Sequence, residues 1–441
     1  MSPLFIILCI TGYFGFLLLI AWHTSQNANN ESYFLANKNA PWYAVAFGMI
    51  SDSLSGVTFI SVPGAVGTSQ FSYLQVVFGY FVGYFVITNV LLPIYYNSNL
   101  TSIYTYLFHR FGKFSQKTGS FFFLLSRLLG AAARLYLTAS VIQLFVFDAI
   151  GIPFWLSVSI IIILILLYTY KGGIKTLVWT DTFQSVFLLM GVVLSIIAIS
   201  YELNYGIKDF FSAVAKSEFT KIFFWDWHEK SFFPKQFFGG IFIAIAMTGL
   251  DQNMMQKNIS CRSLSDAQKN IRWFSVVMVL VNIFFLSLGV LLYTYANSKG
   301  ITIPLNTSGN PDTDALFPFL ALHHLGTFAG IVFIIGLTAA TFSSADSVLT
   351  TLTTSFMIDI YKPSAHKIFS QKKETDEMRI TYIRHLTHIS FAVILLGIIL
   401  LFRILNQQAI INTVLEIAGY TYGPLLGLFA FGIFSKQVPA D

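Results

Sequence analysis

Long apolar runs alternate with short polar segments along almost the whole chain. Most of these runs have roughly 18 to 25 residues, which is enough for an α-helix to cross a ~30 Å hydrocarbon core. The pattern predicts a leading helix over 3–22, which has neither the basic start nor the small-residue cleavage site of a signal peptide. It also predicts ten further spans, numbered here in chain order: 42–65, 72–98, 118–148, 153–170, 178–201, 236–256, 273–296, 328–358, 386–405 and 409–435.

Composition agrees with a membrane location. Hydrophobic residues form 55% of the 441 residues and charged residues only 10%, whereas an ordinary soluble domain carries about 25% charged residues. These few charged side chains are not enough to cover a water-exposed surface. We therefore predict an all-α polytopic membrane protein.

Sequence signatures of enzymes are not recognisable. The two cysteines, Cys9 and Cys261, allow neither a disulfide framework nor a metal cluster. The sequence contains no glycine-rich phosphate loop, catalytic triad or histidine ligand pattern. We predict that the chain is not an enzyme and does not use ATP.

Lysine and arginine residues are distributed unevenly among the loops. Most of the 26 fall before span 1 or after spans 2, 4, 6, 8 and 10, and Lys257 is counted among those after span 6. Cytoplasmic loops carry an excess of these residues, so the pattern places the amino terminus outside, in what we expect to be a bacterial inner membrane. This excess also explains the net charge of +6, so we predict a lipid bilayer and no nucleic acid as a partner.

The predicted topology contains two halves of opposite orientation. After a leading segment over 1–41, spans 1–5 (42–201) begin inside, whereas spans 6–10 (236–435) begin outside, beyond an extracellular loop over 202–235. Inverted repeats of this kind are common in secondary transporters, which interrupt helices near the membrane midplane to bind ions and solute. Polar and glycine residues do interrupt span 1 at 51–56 (SDSLSG) and span 6 at 249–253 (GLDQN). Residues 436–441 are predicted to be a cytoplasmic end, with the chain truncated before further helices.

Span 8 carries a cluster of hydroxyl groups around an acidic residue. At about 100° per residue, one face of the helix presents Ala340, Ser343, Ser344, Ser347 and Thr351, and Asp346 flanks that face. Hydroxyl groups alone are more often used for close helix packing and for hydrogen bonds to the backbone. A carboxylate inside the membrane is costly without a partner, and hard cations prefer oxygen ligands. The cluster therefore predicts an ion site.

Several motifs together resemble the sodium/solute symporter family, which includes sugar, proline, sialic acid, vitamin and iodide transporters. The similar segments are 172–175 (GGIK), 179–184 (WTDTFQ), 252–257 (QNMMQK), Ser343-Ser344 and 358–361 (IDIY). The resemblance extends over nearly the whole chain. It implies the LeuT-like bundle of two inverted five-helix repeats, here with one leading helix.

The resemblance also implies residues for sodium. The principal site of the family would use the backbone carbonyls of Ser51, Leu54 and Ala340 and the hydroxyls of Ser343 and Ser344. A second site, found in some members, would fall on Asp181, Ser343, Asp346 and Ser347. Those members carry a hydroxyl where this chain has Asp346, which would either strengthen the second site or exchange its sodium for a proton.

The solute site is less defined by the sequence. By position, its lining residues would include Ser53, Thr58, Gln75, Asp251 and Asn253. Arg127 and Arg134 lie seven residues apart on one face of span 3, and sialic acid transporters of the family hold the substrate carboxylate with an arginine of this helix. The alternative is that one of these arginines forms a structural ion pair with Asp52, Asp251 or another buried acid.

These observations predict a sodium-coupled symporter that imports a small polar organic solute, such as a sugar, a sugar acid like sialic acid, or a similar compound. Two alternatives remain open. The same fold serves as a membrane sensor module in some proteins, and a downstream domain would favour that function. An ion channel would show a current that does not saturate, and the sequence contains no repeated filter loop.

Overall fold

Helices form nearly all of the regular structure. The computed structural model describes residues 3–26, 28–305, 309, 311–361, 374–405 and 408–435. Within these residues there is no β-strand, and β-pairing is limited to two isolated bridges, Ala40 with Cys261 and Leu305 with Pro311. The prediction of an all-α protein is confirmed for this part of the chain.

Each predicted span corresponds to a helix or to a pair of helices. The helices of six or more residues, numbered in chain order, are α1 Pro3–Thr24, α2 Asn30–Leu35, α3 Trp42–Ser53, α4 Gly56–Ser69, α5 Tyr73–Asn97, α6 Thr105–Ile142, α7 Phe154–Thr169, α8 Gly173–Glu202, α9 Ile207–Lys216, α10 Phe233–Gly249, α11 Gln252–Ile259, α12 Leu264–Lys299, α13 Thr313–His323, α14 Gly326–Tyr361, α15 Glu374–Leu405 and α16 Gln408–Phe434. Helices α1, α5, α6, α8, α12, α14 and α15 contain apolar segments long enough to cross a membrane singly. The shorter α7 and the end of α16 are also apolar.

Spans 1 and 6 are each broken near the middle. Helices α3 and α4 meet at an angle of 63°, and α10 and α11 meet at 62°. Leu54 lies between the first pair with φ −101° and ψ 87°, outside the helical region. Between the second pair, Tyr95 and Tyr104 donate hydrogen bonds to the freed carbonyls of Gly249 and Leu250. Both breaks fall within the segments that the sequence predicts.

Several helices extend further than the apolar runs. Helix α6 begins at Thr105 instead of 118, with a kink at Gly112 (φ 84°), α12 begins at Leu264 instead of 273, and α15 at Glu374 instead of 386. Hydropathy marks only the part of a helix that lies in hydrocarbon, so the polar turns at its ends were assigned to loops. Residues 362–373, which belong to the charged segment between spans 8 and 9, and the whole of the predicted cytoplasmic end over 436–441 lie outside the described residues.

Helices α5 and α10 approach each other closely because glycines lie at their contact. A Cβ atom added to Gly240 would lie 2.3 Å from the carbonyl oxygen of Val76, and one added to Gly79 would lie 2.2 Å from that of Phe237. Small residues allow helices in a membrane to pack backbone against backbone. This contact joins span 2, which belongs to the first half, to span 6, which is the first span of the second half.

We expect Gly240→Ala to lower the melting temperature of the protein in detergent. The added methyl group has no room against the α5 backbone, and such overpacking costs about 1–3 kcal/mol. The matched control is Gly239→Ala, one residue earlier on the same helix, where a Cβ atom would meet nothing within 4 Å. In that variant alanine's higher helix propensity acts alone, so its melting temperature should not fall. Equal melting temperatures for the two variants would contradict this view of the contact.

Candidate ion and solute sites

The break between α3 and α4 lies against α8 and α14. The hydroxyl of Ser51 is 2.7 Å from that of Ser343 and donates to the backbone carbonyl of Asp181 at 3.1 Å. The backbone N–H of Ser51 donates to Ser185 Oγ at 2.9 Å. A Cβ atom on Gly56 would lie 2.6 Å from the hydroxyl of Thr341, so the absence of a side chain there lets α4 contact α14 directly.

All five residues predicted for the principal sodium site are buried at this junction. Ser51 lies in the last turn of α3 and Leu54 in the break, and Ala340, Ser343 and Ser344 lie on α14. The hydroxyl of Ser344 donates to the carbonyl oxygens of Ala340 and Thr341, at 3.3 and 3.0 Å. The junction is thus rich in oxygen atoms, which are the ligands that hard cations prefer.

A second group of polar side chains lies beside this junction, and an ammonium group is at its centre. Lys257 Nζ is 2.6 Å from Asp181 Oδ2, 2.8 Å from Ser347 Oγ and 3.2 Å from Asp52 Oδ2. Asp181 also accepts hydrogen bonds from Ser343 and Ser347, at 3.2 and 3.1 Å. The structure therefore brings together three of the four residues predicted for the second sodium site, together with a lysine that was not predicted there.

The assignment of Lys257 to a cytoplasmic loop was wrong. This residue lies on α11 and is 1% exposed. The misassignment arose because α11 follows a break and is polar, so the apolar pattern ends before it. A signal was present in the sequence: Asp52, Asp181 and Asp346 all fall inside predicted spans, and buried carboxylates need cationic partners.

Asp346 does not join the other residues of the predicted second sodium site. Its Oδ2 accepts hydrogen bonds from Tyr168 at 2.7 Å and from Gln184 at 3.5 Å. The physical reason is helical geometry. Around the helix axis, Ser347 lies about 40° to one side of Ser343 and Asp346 about 60° to the other side. Asp346 therefore does not bond to the group around Asp181 in this structure, and its contribution to a sodium site stays a prediction.

A cavity opens beside the α3–α4 break. Its polar lining residues are Asp52, Ser53, Tyr73, Tyr80, Tyr84, Arg127, Arg134 and Thr248, and its apolar lining residues are Leu54, Ile243, Ala244, Met247, Met254 and Met278. Three of the residues predicted for the solute site, Ser53, Arg127 and Arg134, are among them. Concave sites in which apolar side chains surround a few convergent polar groups are typical of small-molecule sites, and this cavity is more polar than most because eight of its fourteen lining residues are polar.

The other four predicted solute-site residues do not line this cavity. Gln75 is buried and bonds to the backbone of Ser231 and Phe224 in the loop before α10. Asn253 donates to Asp52 and accepts from Thr351, at 2.7 and 2.8 Å. Thr58 lies in the first turn of α4. Asp251 forms an ion pair with Arg127.

The two arginines of α6 have different environments. The Arg127 guanidinium pairs with Asp251, which also accepts from the Tyr422 hydroxyl and caps α11 through the N–H of Met254. Arg127 thus has the structural ion pair that was the alternative prediction. Among the side chains that the structure describes, none forms a hydrogen bond or ion pair with the Arg134 guanidinium, which faces the cavity.

Comparisons with known proteins agree on one group. A model of the Sodium:solute symporter family matches residues 33–441. The sodium/sialic acid symporter NanT of Aliivibrio fischeri is 26% identical over 98% of this chain and 84% of its own length. The sodium/sialic acid symporter SiaT of Proteus mirabilis is also 26% identical, over 97% of this chain and 84% of its own. The mouse sodium-coupled monocarboxylate transporter 1 is 24% identical over 92% of this chain and 64% of its own.

A solved structure of a Na⁺-coupled sialic acid symporter, in a substrate-bound outward-open state, has a similar fold. It superposes with a TM-score of 0.84 at 24% sequence identity and covers 98% of this chain and 87% of that one. This likeness confirms the predicted inverted-repeat helix bundle. The exact boundaries of the two repeats, 42–201 and 236–435, stay a prediction.

Proposed function

Because this chain belongs to the sodium:solute symporter family, it is a sodium-coupled membrane transporter, and we propose that its solute is a carboxylate held by Arg134. One observation carries the proposal: a partly open cavity within the helix bundle presents a half-buried arginine with no partner among the described side chains. A cation in such a place is costly unless a counter-charge arrives. A solute carboxylate supplies that charge and can accept two parallel hydrogen bonds from the guanidinium.

The lining and the relatives support this class of solute. Tyr73, Tyr80, Tyr84 and Thr248 offer hydroxyl groups for the polar part of a solute, and the methionines offer an adaptable apolar wall. Two relatives transport sialic acid and a third transports monocarboxylates, according to their names. A carboxylate is common to these solutes, so sialic acid and short monocarboxylates are the compounds to test first.

We further propose that sodium binds where the α3–α4 break meets α14. The carbonyls of Ser51, Leu54 and Ala340 and the hydroxyls of Ser343 and Ser344 would replace the hydration shell of the ion. Sodium would then hold the broken helix against α14 and order the cavity, which Leu54 itself lines. Coupling of this kind is reciprocal, so the solute should tighten sodium binding by the same factor.

The orientation and the location complete the proposal. The excess of lysine and arginine in one set of loops supports an amino terminus on the outside. A bacterial inner membrane would supply an inward sodium gradient, which drives uptake as the two halves expose the site alternately to either side.

Proteoliposome uptake tests the proposal. An inward sodium gradient should drive accumulation of sialic acid or of a short monocarboxylate, and a potassium gradient of the same size should not. The methyl esters of the same compounds should neither be taken up nor compete. Sodium-driven uptake of neutral solutes alone, with no competition from any carboxylate, would overturn the proposed solute class. Signalling without any solute flux would instead favour a sensor.

A further inference from the structure

The position predicted for a second sodium ion already contains a cation of the chain itself. The Lys257 ammonium lies against Asp181 Oδ2 and Ser347 Oγ, two of the predicted ligands of that ion. An ammonium group has three N–H donors and no acceptor. Its three close oxygens, which include Asp52 Oδ2, provide one acceptor for each donor. The group is therefore fully satisfied without any ion or water.

The charges around Lys257 determine what else this region can hold. Asp52 and Asp181 with Lys257 carry a net charge of −1 when all three are ionised. Asp346, which bonds to Tyr168 and Gln184 and has no cationic partner among the described side chains, is counted here as protonated and neutral. One sodium ion at the adjacent principal site balances that charge. A second sodium ion between Asp181 and Ser347 would lie against the ammonium and would leave an excess positive charge, which is unfavourable among buried side chains.

We propose that Lys257 is a built-in cation that takes the place of a second sodium ion, so that this transporter couples one sodium ion to each solute. The proposal rests on the sodium coupling described above. Removing the ammonium should leave Asp181, Ser343 and Ser347 as an empty oxygen cage of negative charge. Lys257 thus determines the coupling ratio: its loss converts the position into a second sodium site.

The position of Lys257 also links this cage to the solute cavity. Asp52 lines the cavity on one side and accepts hydrogen bonds from Lys257 and Asn253 on the other. Lys257 and Asn253 belong to α11, beyond the second helix break, whereas Asp52 belongs to α3, before the first. Through these ion pairs the lysine joins the two broken helices to α8, and unlike a sodium ion its charge stays attached to α11 throughout the transport cycle.

The test compares the sodium-to-solute ratio of four proteins in proteoliposomes, measured from the membrane voltage at which net flux reverses. We expect a ratio of one for the wild type, for Asp181→Asn and for Lys257→Arg, which keeps the positive charge. We expect a ratio of two for Lys257→Met. A wild-type ratio of two that falls to one in Asp181→Asn would overturn the proposal, and so would a ratio of one in an active Lys257→Met.

A second variant covers the case in which Lys257→Met does not fold, because it leaves two buried carboxylates without their partner. The variant Lys257→Gln removes the positive charge and keeps two N–H donors for the carboxylates of Asp52 and Asp181. Equilibrium binding of radioactive sodium to purified protein should show one more ion per molecule in Lys257→Gln than in the wild type. An equal number in the two proteins overturns the proposal.

These measurements also separate this inference from the proposed function. If the wild type binds no sodium and no solute follows a sodium gradient, the sodium coupling itself fails. If the wild type binds two sodium ions and transports a carboxylate, only the role of Lys257 fails.

Discussion

Replacing Arg134 by alanine is expected to reduce the kcat/KM of sodium-driven solute uptake by about 100-fold or more. Each hydrogen bond to a charged group contributes about 1.5–3 kcal/mol, and a guanidinium can offer two to one carboxylate. Their loss amounts to at least about 3 kcal/mol, and every 1.4 kcal/mol corresponds to a factor of about ten. The measurement is the initial rate of uptake at saturating sodium over a range of solute concentrations.

Two comparisons show whether Arg134 contacts the solute directly. Arg134→Lys keeps the positive charge but loses the planar fork, so it should retain part of the activity. The wild type should bind the solute's methyl ester far more weakly than the acid. Arg134→Ala should bind the ester and the acid equally weakly, because esterification and the substitution remove the same interaction. An Arg134→Ala variant that still prefers the acid by the wild-type factor would contradict direct contact.

The helices and their breaks were predictable because they depend on local sequence. Apolar runs report the hydrocarbon thickness that each helix must cross. The segment over 51–56 combines an aspartate, three serines and a glycine, which a membrane helix does not accommodate in its middle without a functional or structural reason. The structure has its break within this segment, between Ser53 and Gly56.

The pairing of charged groups was not predictable, because it depends on how distant helices approach. Arg127 and Arg134 are equivalent in a helical projection of α6. Only the position of α11 decides that Asp251 neutralises the first and leaves the second facing the cavity. Lys257 was similarly hidden, since its three oxygen partners come from α3, α8 and α14.

Two unbalanced charges of opposite sign give a physical basis for coupling. The group of Asp52, Asp181 and Lys257 has one negative charge in excess and lies next to the proposed sodium site. Arg134 has one positive charge in excess, and both Arg134 and Asp52 line the same cavity. Sodium neutralises the first excess and a carboxylate solute the second. When both ligands are bound, the protein has no uncompensated charge among these groups, which favours closure and passage through the membrane.

The second large effect is expected at Ser343, whose hydroxyl lies between the two proposed cation positions. It is 2.7 Å from the Ser51 hydroxyl and donates to Asp181 Oδ1 at 3.2 Å. Ser343→Ala removes one of the oxygen atoms proposed to bind sodium. An interaction with a full charge contributes about 1.5–3 kcal/mol, so the sodium concentration for half-maximal uptake should rise about 10- to 100-fold.

Two features separate lost sodium binding from general damage at position 343. The maximal rate of Ser343→Ala should recover when sodium is raised, and the melting temperature should respond to sodium only at correspondingly higher concentrations. The matched control is Ser195→Ala on α8, which is also buried and whose hydroxyl donates to the carbonyl of Gly191 on its own helix. That variant should keep the wild-type sodium dependence, because Ser195 lies beyond the ion-binding end of α8. If both alanine variants have the same half-maximal sodium concentration, Ser343 does not bind the ion, and the principal site must be sought away from the junction of α3, α4 and α14.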